Sequence, residues 1–163
     1  MSIFQEQLGR QERRAGISLA LIYAFRMLGL FMILPVFAIY AESLPETTPM
    51  LTGLALGIYG FTQAILQIPF GMLSDKIGRK PVIAAGLLVF AVGSLVAASS
   101  DSIYGIIAGR ALQGAGAIAS ALMALAADLS REEHRMRMMA LIGMSIGVAF
   151  ASSMVLGPIL NQW

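Results

Sequence analysis

Five long apolar stretches, at 15–41, 52–73, 82–98, 103–127 and 138–160, contain no Asp or Glu and only two arginines between them. Crossing the hydrocarbon core of a bilayer takes roughly 20 apolar residues in a helix, and a chain of 163 residues cannot hide five such runs in a water-soluble core. Only 12% of residues are charged and 58% are hydrophobic, where a soluble domain carries roughly 25% charged residues. The expected fold class is therefore an all-α membrane protein, with 1–14 as a polar leading segment and 15–163 as a helical bundle.

The first apolar run follows Arg10, Arg13 and Arg14, as the core of a secretory signal does. A signal core spans roughly 7 to 15 residues, whereas this run is much longer, holds Arg26 and leads into further spans. It is expected to remain in the protein. Lysine and arginine otherwise concentrate in alternate loops: Lys76, Arg79 and Lys80 after the second span, and Arg131, Arg135 and Arg137 after the fourth. The loops at 42–49 and around Asp101 have none. Because positive loops stay in the cytoplasm, the N-terminus is expected inside and Asn161, Gln162 and Trp163 outside, with Trp163 at the interface.

Several function classes fall away. The formal charge of +2 comes from short basic clusters between spans, not from a stripe interleaved with aromatics as nucleic acid requires. Cysteine is absent, which removes thiolate metal sites and thiol catalysis. No nucleophile elbow, zinc-binding helix motif, phosphate loop or paired carboxylates occur, so no enzyme, cofactor or metal is expected. His134, in the charged segment SREEHRMR (130–137), reads as part of a solvated turn.

Lipid gives helices no hydrophobic reason to associate, so small residues that let backbones approach must supply contact. Gly53 and Gly57, Gly105 and Gly109, and Gly143 and Gly147 form GxxxG pairs, and Gly114 with Gly116 thins the fourth span. Pro35, Pro69 and Pro158 each remove a helical hydrogen bond and can bend their spans. Gln63 and Gln67 lie one turn apart and share a face, able either to line a cavity or to bond a neighbouring helix.

The segment GMLSDKIGRKP (71–81) resembles the loop signature of the major facilitator superfamily, a GxLxDxxGRRx pattern, with Gly71, Leu73, Asp75, Gly78, Arg79 and Lys80 in frame. RALQGAG (110–116) resembles that family's second signature, RxxQG on the fourth span, with Arg110, Gln113 and Gly114 in place. FRMLGLFMILPV (25–36) is similar to the first helix of drug and proton antiporters, particularly the YajR-like group. The run 144–160, ending in Gly157 and Pro158, partly resembles the antiporter fifth-helix signature, but Ile159, Leu160 and Asn161 depart from its close.

That resemblance implies two six-helix halves, of which five of twelve helices are present, with a site near the midplane between halves. It implies an electrostatic latch in which Asp75 faces a helix of the other half and Arg79 reaches Asp128. It also implies substrate or coupling roles for Arg26 and Arg110, with Gln63, Gln67 and Gln113 nearby. An arginine in the bilayer core costs about 2.5 to 3.5 kcal/mol on insertion scales and normally faces a bundle interior or wet cavity. No span offers a carboxylate, so a backbone carbonyl, water, substrate or a group outside this sequence must meet each guanidinium.

The whole protein is then expected to be a proton-coupled carrier that exports drugs or small metabolites across a bacterial inner membrane. Its partners would be the bilayer, a small-molecule substrate, protons and the C-terminal half absent here. This piece alone is not expected to transport. The coupling acid is either in the missing sequence or Asp128, and sugars are not excluded as substrates. The competing class is a non-transporting membrane scaffold or receptor bundle, which explains the topology but not GMLSDKIGRKP.

Overall fold

A computed structural model describes residues 10–160; the expected placement of Trp163 lies outside the described residues. Seven α-helices occur among them: α1 (Arg10–Phe31), α2 (Leu34–Glu42), α3 (Pro49–Ile77), α4 (Arg79–Ala98), α5 (Ile103–Ala115), α6 (Ala119–Asp128) and α7 (Arg135–Leu160), with one 3-10 turn at Glu132–His134. Five segments of these are long and apolar enough to cross a membrane: Glu12–Phe37, Pro49–Ile77, Arg79–Ala98, Ile103–Asp128 and Glu132–Leu160.

Two of the five are broken. The first span is interrupted at Met32 and Ile33, just before Pro35. Proline has no N–H to offer the carbonyl of Phe31, and its ring crowds that carbonyl. The fourth span opens at Gly116, Ala117 and Ile118, where the Gly116 N–H turns back to the Gln113 carbonyl at 3.2 Å. In contrast, α3 and α7 run through Pro69 and Pro158 without interruption.

The second and third spans are longer than their apolar cores. Helix α3 stays helical through Asp75 and Lys76, and α4 begins at Arg79, so Gly78 is the sole non-helical residue between them. Its φ of 98° is a left-handed backbone value open to glycine at little cost. The basic loop is thus a hairpin of one residue flanked by charged helix ends. On the opposite ends, Thr48 caps α3 through Leu51 N–H at 3.3 Å, Pro49 fills its first turn, and Ser102 caps α5 through Gly105 N–H at 3.2 Å. These are the usual oxygen acceptors for orphan N–H groups at a helix start.

The chain forms two compact units. In the first, α1 packs along α7. Met138 and Ile142 on α7 and Leu19, Ala20 and Tyr23 on α1 are buried, Ser153 Oγ donates to the Leu28 carbonyl at 3.1 Å, and Phe31 meets Phe150 edge to face at 5.1 Å. In the second, α5 is packed by both α3 and α4. Large apolar side chains elsewhere point outward, among them Phe25, Ile68, Leu88 and Val148, as lipid-facing helices require.

Glycine makes the second unit's close contacts. A Cβ at Gly93 would strike the Gly109 carbonyl and Gln113 backbone nitrogen, one at Gly109 would strike the Ala97 backbone, and one at Gly114 would strike the Tyr59 carbonyl and Thr62 Oγ1. Gly53, Gly57, Gly143 and Gly147 have nothing within 4 Å of that position. Of the three GxxxG pairs, only Gly105 and Gly109 therefore meet close neighbours. Spacing determines which face a small pair occupies, not what covers it. Replacing Gly114 by valine should lower stability by about 1 to 3 kcal/mol, the usual cost of overpacking. A lower thermal midpoint in detergent is the expected result, and an unchanged midpoint would remove the close approach.

Candidate functional site

Arg110 lies on α5 with 2% of its surface exposed, at the head of a hydrogen-bonded relay that runs over three helices. Its Nε donates to the Ala55 carbonyl on α3 at 3.3 Å, and its Nη1 donates to Gln113 Oε1 at 2.9 Å. Gln113 Nε2 in turn donates to Ser94 Oγ on α4 at 2.8 Å, and Ser94 donates to the Phe90 carbonyl at 2.9 Å. The guanidinium also stands over the Tyr59 ring, 5.0 Å from its centroid, a geometry in which the ring quadrupole attracts the cation. Of the partners open to Arg110 from sequence, the structure selects a backbone carbonyl and adds a glutamine and an aromatic face.

Local sequence explains why this works. Arg110 and Gln113 are three residues apart and so share a helix face, while Gly109 and Gly114 bring α4 and α3 close enough to be bridged. Thr62 reinforces the same seam, donating to the Ala111 carbonyl at 3.0 Å. Tyr59, Thr62 and Ser94 were not legible as site residues: each looks like an isolated hydroxyl in an apolar helix. Gln63 and Gln67 are half-buried on α3, and the Gln67 carbonyl accepts from Ser120 Oγ at 2.9 Å.

A second cluster surrounds the one-residue hairpin. Arg79 forms an ion pair with Asp75 and donates from Nη1 to Ser74 Oγ at 2.8 Å. Ser74 donates to the Gly71 carbonyl at 2.7 Å. A Cβ at Gly71 would sit 3.1 Å from Ser120 Oγ, so the motif's first glycine marks a close approach. Asp75 keeps most of its carboxylate exposed, at 60% of the side chain. Lys80 projects outward on the first turn of α4, and Asp128 is an exposed residue closing α6.

Arg26 is the buried cation of the first unit, 2% exposed, and buried Tyr23 lies one turn before it on α1. Gly157 is buried and Pro158 exposed near the end of α7. One reading needs correction. His134 is not solvated but buried, 3% exposed, with Nδ1 3.0 Å from Glu12 Oε2. Glu12 is masked in the sequence by the arginines around it, and 122 residues separate the two partners.

The family model described as Major Facilitator Superfamily matches residues 19–163. The chain is 60% identical over 151 residues to the inner membrane transport protein YajR of Escherichia coli K12, covering 93% of this chain and 33% of that protein. It is 46% identical to an uncharacterized transporter of Buchnera aphidicola subsp. Schizaphis graminum, over 93% of this chain and 39% of that one. It is 32% identical to multidrug resistance protein D of Escherichia coli K12, over 65% of this chain and 27% of that one. The chain thus spans well under half the length of each of these relatives.

Proposed function

We propose, because this chain belongs to the major facilitator superfamily, that the full-length protein carries a small molecule across a membrane by alternating access, as a proton-coupled exporter of drugs or small metabolites. The chain itself is part of an integral, multi-pass membrane protein. The observation that carries the reading is the buried Arg110 relay through Ala55, Gln113 and Ser94. Holding a permanent cation inside an apolar bundle costs several kcal/mol, and such a group normally marks a substrate or ion path.

Two further features support it. The two helices with a buried arginine are the two that break, each six residues further on, at Met32 after Arg26 and at Gly116 after Arg110. Interrupted helices are the usual makers of midplane sites in carriers. The relatives named as a transport protein and a multidrug resistance protein favour export of small molecules. Two arginines at such depth favour substrates with an anionic or strongly hydrogen-bonding group.

The reading places the N-terminus and the Asp75 hairpin in the cytoplasm of a bacterial inner membrane. With single cysteines at Lys76 and Glu46 in the full-length protein, an impermeant thiol reagent should label the first only from the inner side and the second only from the outer side; labelling of both from one side removes the topology. In proteoliposomes holding a pH gradient, substrates drawn from a drug and metabolite panel should dissipate the gradient and show saturable flux. Flux indifferent to the gradient would reduce the reading to uniport, and a complete absence of flux would leave the scaffold class.

A further inference from the structure

At the end of the first unit where α1 begins, a buried carboxylate and a buried imidazole hold together two segments far apart in sequence. Glu12 Oε1 accepts the backbone N–H of Arg131 at 3.0 Å, and Glu12 Oε2 faces His134 Nδ1 at 3.0 Å. Glu12 is 8% exposed and His134 3%. Beneath them Gly16 admits the Met138 side chain against α1, and Ser130 Oγ closes the end of α6 on the Ala126 carbonyl at 2.8 Å. The pair thus clasps the turn between the fourth and fifth spans to the start of the first.

We propose that the Glu12–His134 clasp is a proton sensor, closed in the form with an ionised carboxylate and a neutral imidazole and opened by uptake of one proton. The argument rests on donor and acceptor inventory. With the ring proton on Nδ1, both Glu12 oxygens accept an N–H, an arrangement that suits an ionised carboxylate, which only accepts. The far imidazole nitrogen, His134 Nε2, is buried without a hydrogen-bond partner among the described residues. With the ring proton on Nδ1, that nitrogen buries only a lone pair. Protonating it would bury an N–H with no acceptor among the described residues, which is costly.

The surrounding charges do not reverse this. Arg131 Nε is 4.0 Å from Glu12 Oε1 but its side chain is 70% exposed and shared with Glu133, 3.7 Å from its Nη1. Arg13 and Arg14 on α1, Glu132 on the turn and Arg135 on α7 are exposed, and Arg137 is half-buried. Exposed charges are weakened by water and salt, whereas the buried pair is not. Since the open form binds more protons than the closed form, linkage favours opening as pH falls.

The inference is independent of the transport reading, and its test does not use transport. Hydrogen exchange of the peptide covering 130–135 is measured in the full-length protein and corrected for intrinsic rates, across about pH 5 to 8, where histidine normally changes charge. The Arg131 amide should lose protection on acidification by up to about tenfold per pH unit, the slope of one linked proton. His134→Asn, whose side-chain N–H can replace Nδ1–H but does not titrate, should flatten the profile, and Glu12→Ala should remove the protection at every pH. A flat wild-type profile, or protection that grows in acid as a simple ion pair would give, overturns the proposal. So does a His134→Asn protein that keeps the wild-type slope.

Discussion

Replacing Arg110 by lysine should leave a folded protein that transports roughly ten- to a hundredfold more slowly than wild type, the equivalent of about 1.5 to 3 kcal/mol for lost hydrogen bonds to a charged group. The charge survives this change but the planar fork does not. Arg110 meets the Ala55 carbonyl with Nε and Gln113 Oε1 with Nη1 at once, and a single ammonium on a flexible stem cannot reproduce both directions. Arg110→Ala should be worse, because Gln113 Oε1 is then left buried without its donor. Transport by the lysine variant, normalised to folded protein in proteoliposomes and compared with its thermal midpoint, separates the two losses. Wild-type flux in Arg110→Lys would show that the guanidinium serves packing alone.

The same network shows what the sequence could and could not disclose. The five spans were legible because a bilayer excludes charge so strongly that runs of apolar residues are decisive. Arg110 stood out for the same reason, as an exception to that exclusion, and Gln113 through the resemblance of RALQGAG to a family signature. Ser94 did not, since a serine in an apolar helix can satisfy itself on a carbonyl one turn back, as it does here on Phe90; only the approach of α5 to α4 gives it a second role. Pro35 signalled a bend near the break at Met32, but the break at Gly116 was hidden, because hydropathy counts side chains and the break is a failure of backbone hydrogen bonding.

Contacts across long separations were the least legible. Glu12 sits in a basic cluster and His134 in a charged turn, and each alone reads as solvated surface. Their pairing removes both from water and depends on α1 lying along α7, which no local pattern encodes. The glycine pairs fail in the opposite direction. The spacing of Gly143 and Gly147 is as regular as that of Gly105 and Gly109, yet only the latter meet close neighbours in this chain.

Neutralising the hairpin carboxylate, Asp75→Asn, should cut transport by the full-length protein about tenfold or more while leaving its stability nearly unchanged. The two effects separate because the Asp75 side chain is 60% exposed, although Arg79 is the more covered partner, and a pair with its carboxylate in water adds only about 1 kcal/mol to folding. Within the helix hairpin Arg79 retains Ser74 as an acceptor, so the local fold survives. What is lost is a fixed anion at the end of α3. In the proposed latch, which holds the outward-facing state, that anion faces the N-terminus of a helix in the other half, an interaction of about 0.3 to 2 kcal/mol depending on burial. Two conformations of nearly equal energy shift their ratio by about tenfold for 1.4 kcal/mol, so the loss should move the population from outward-facing to inward-facing. Thiol labelling at positions lining the two openings measures that ratio directly. Unchanged labelling together with unchanged flux would reduce the charge order of this hairpin to a topology signal.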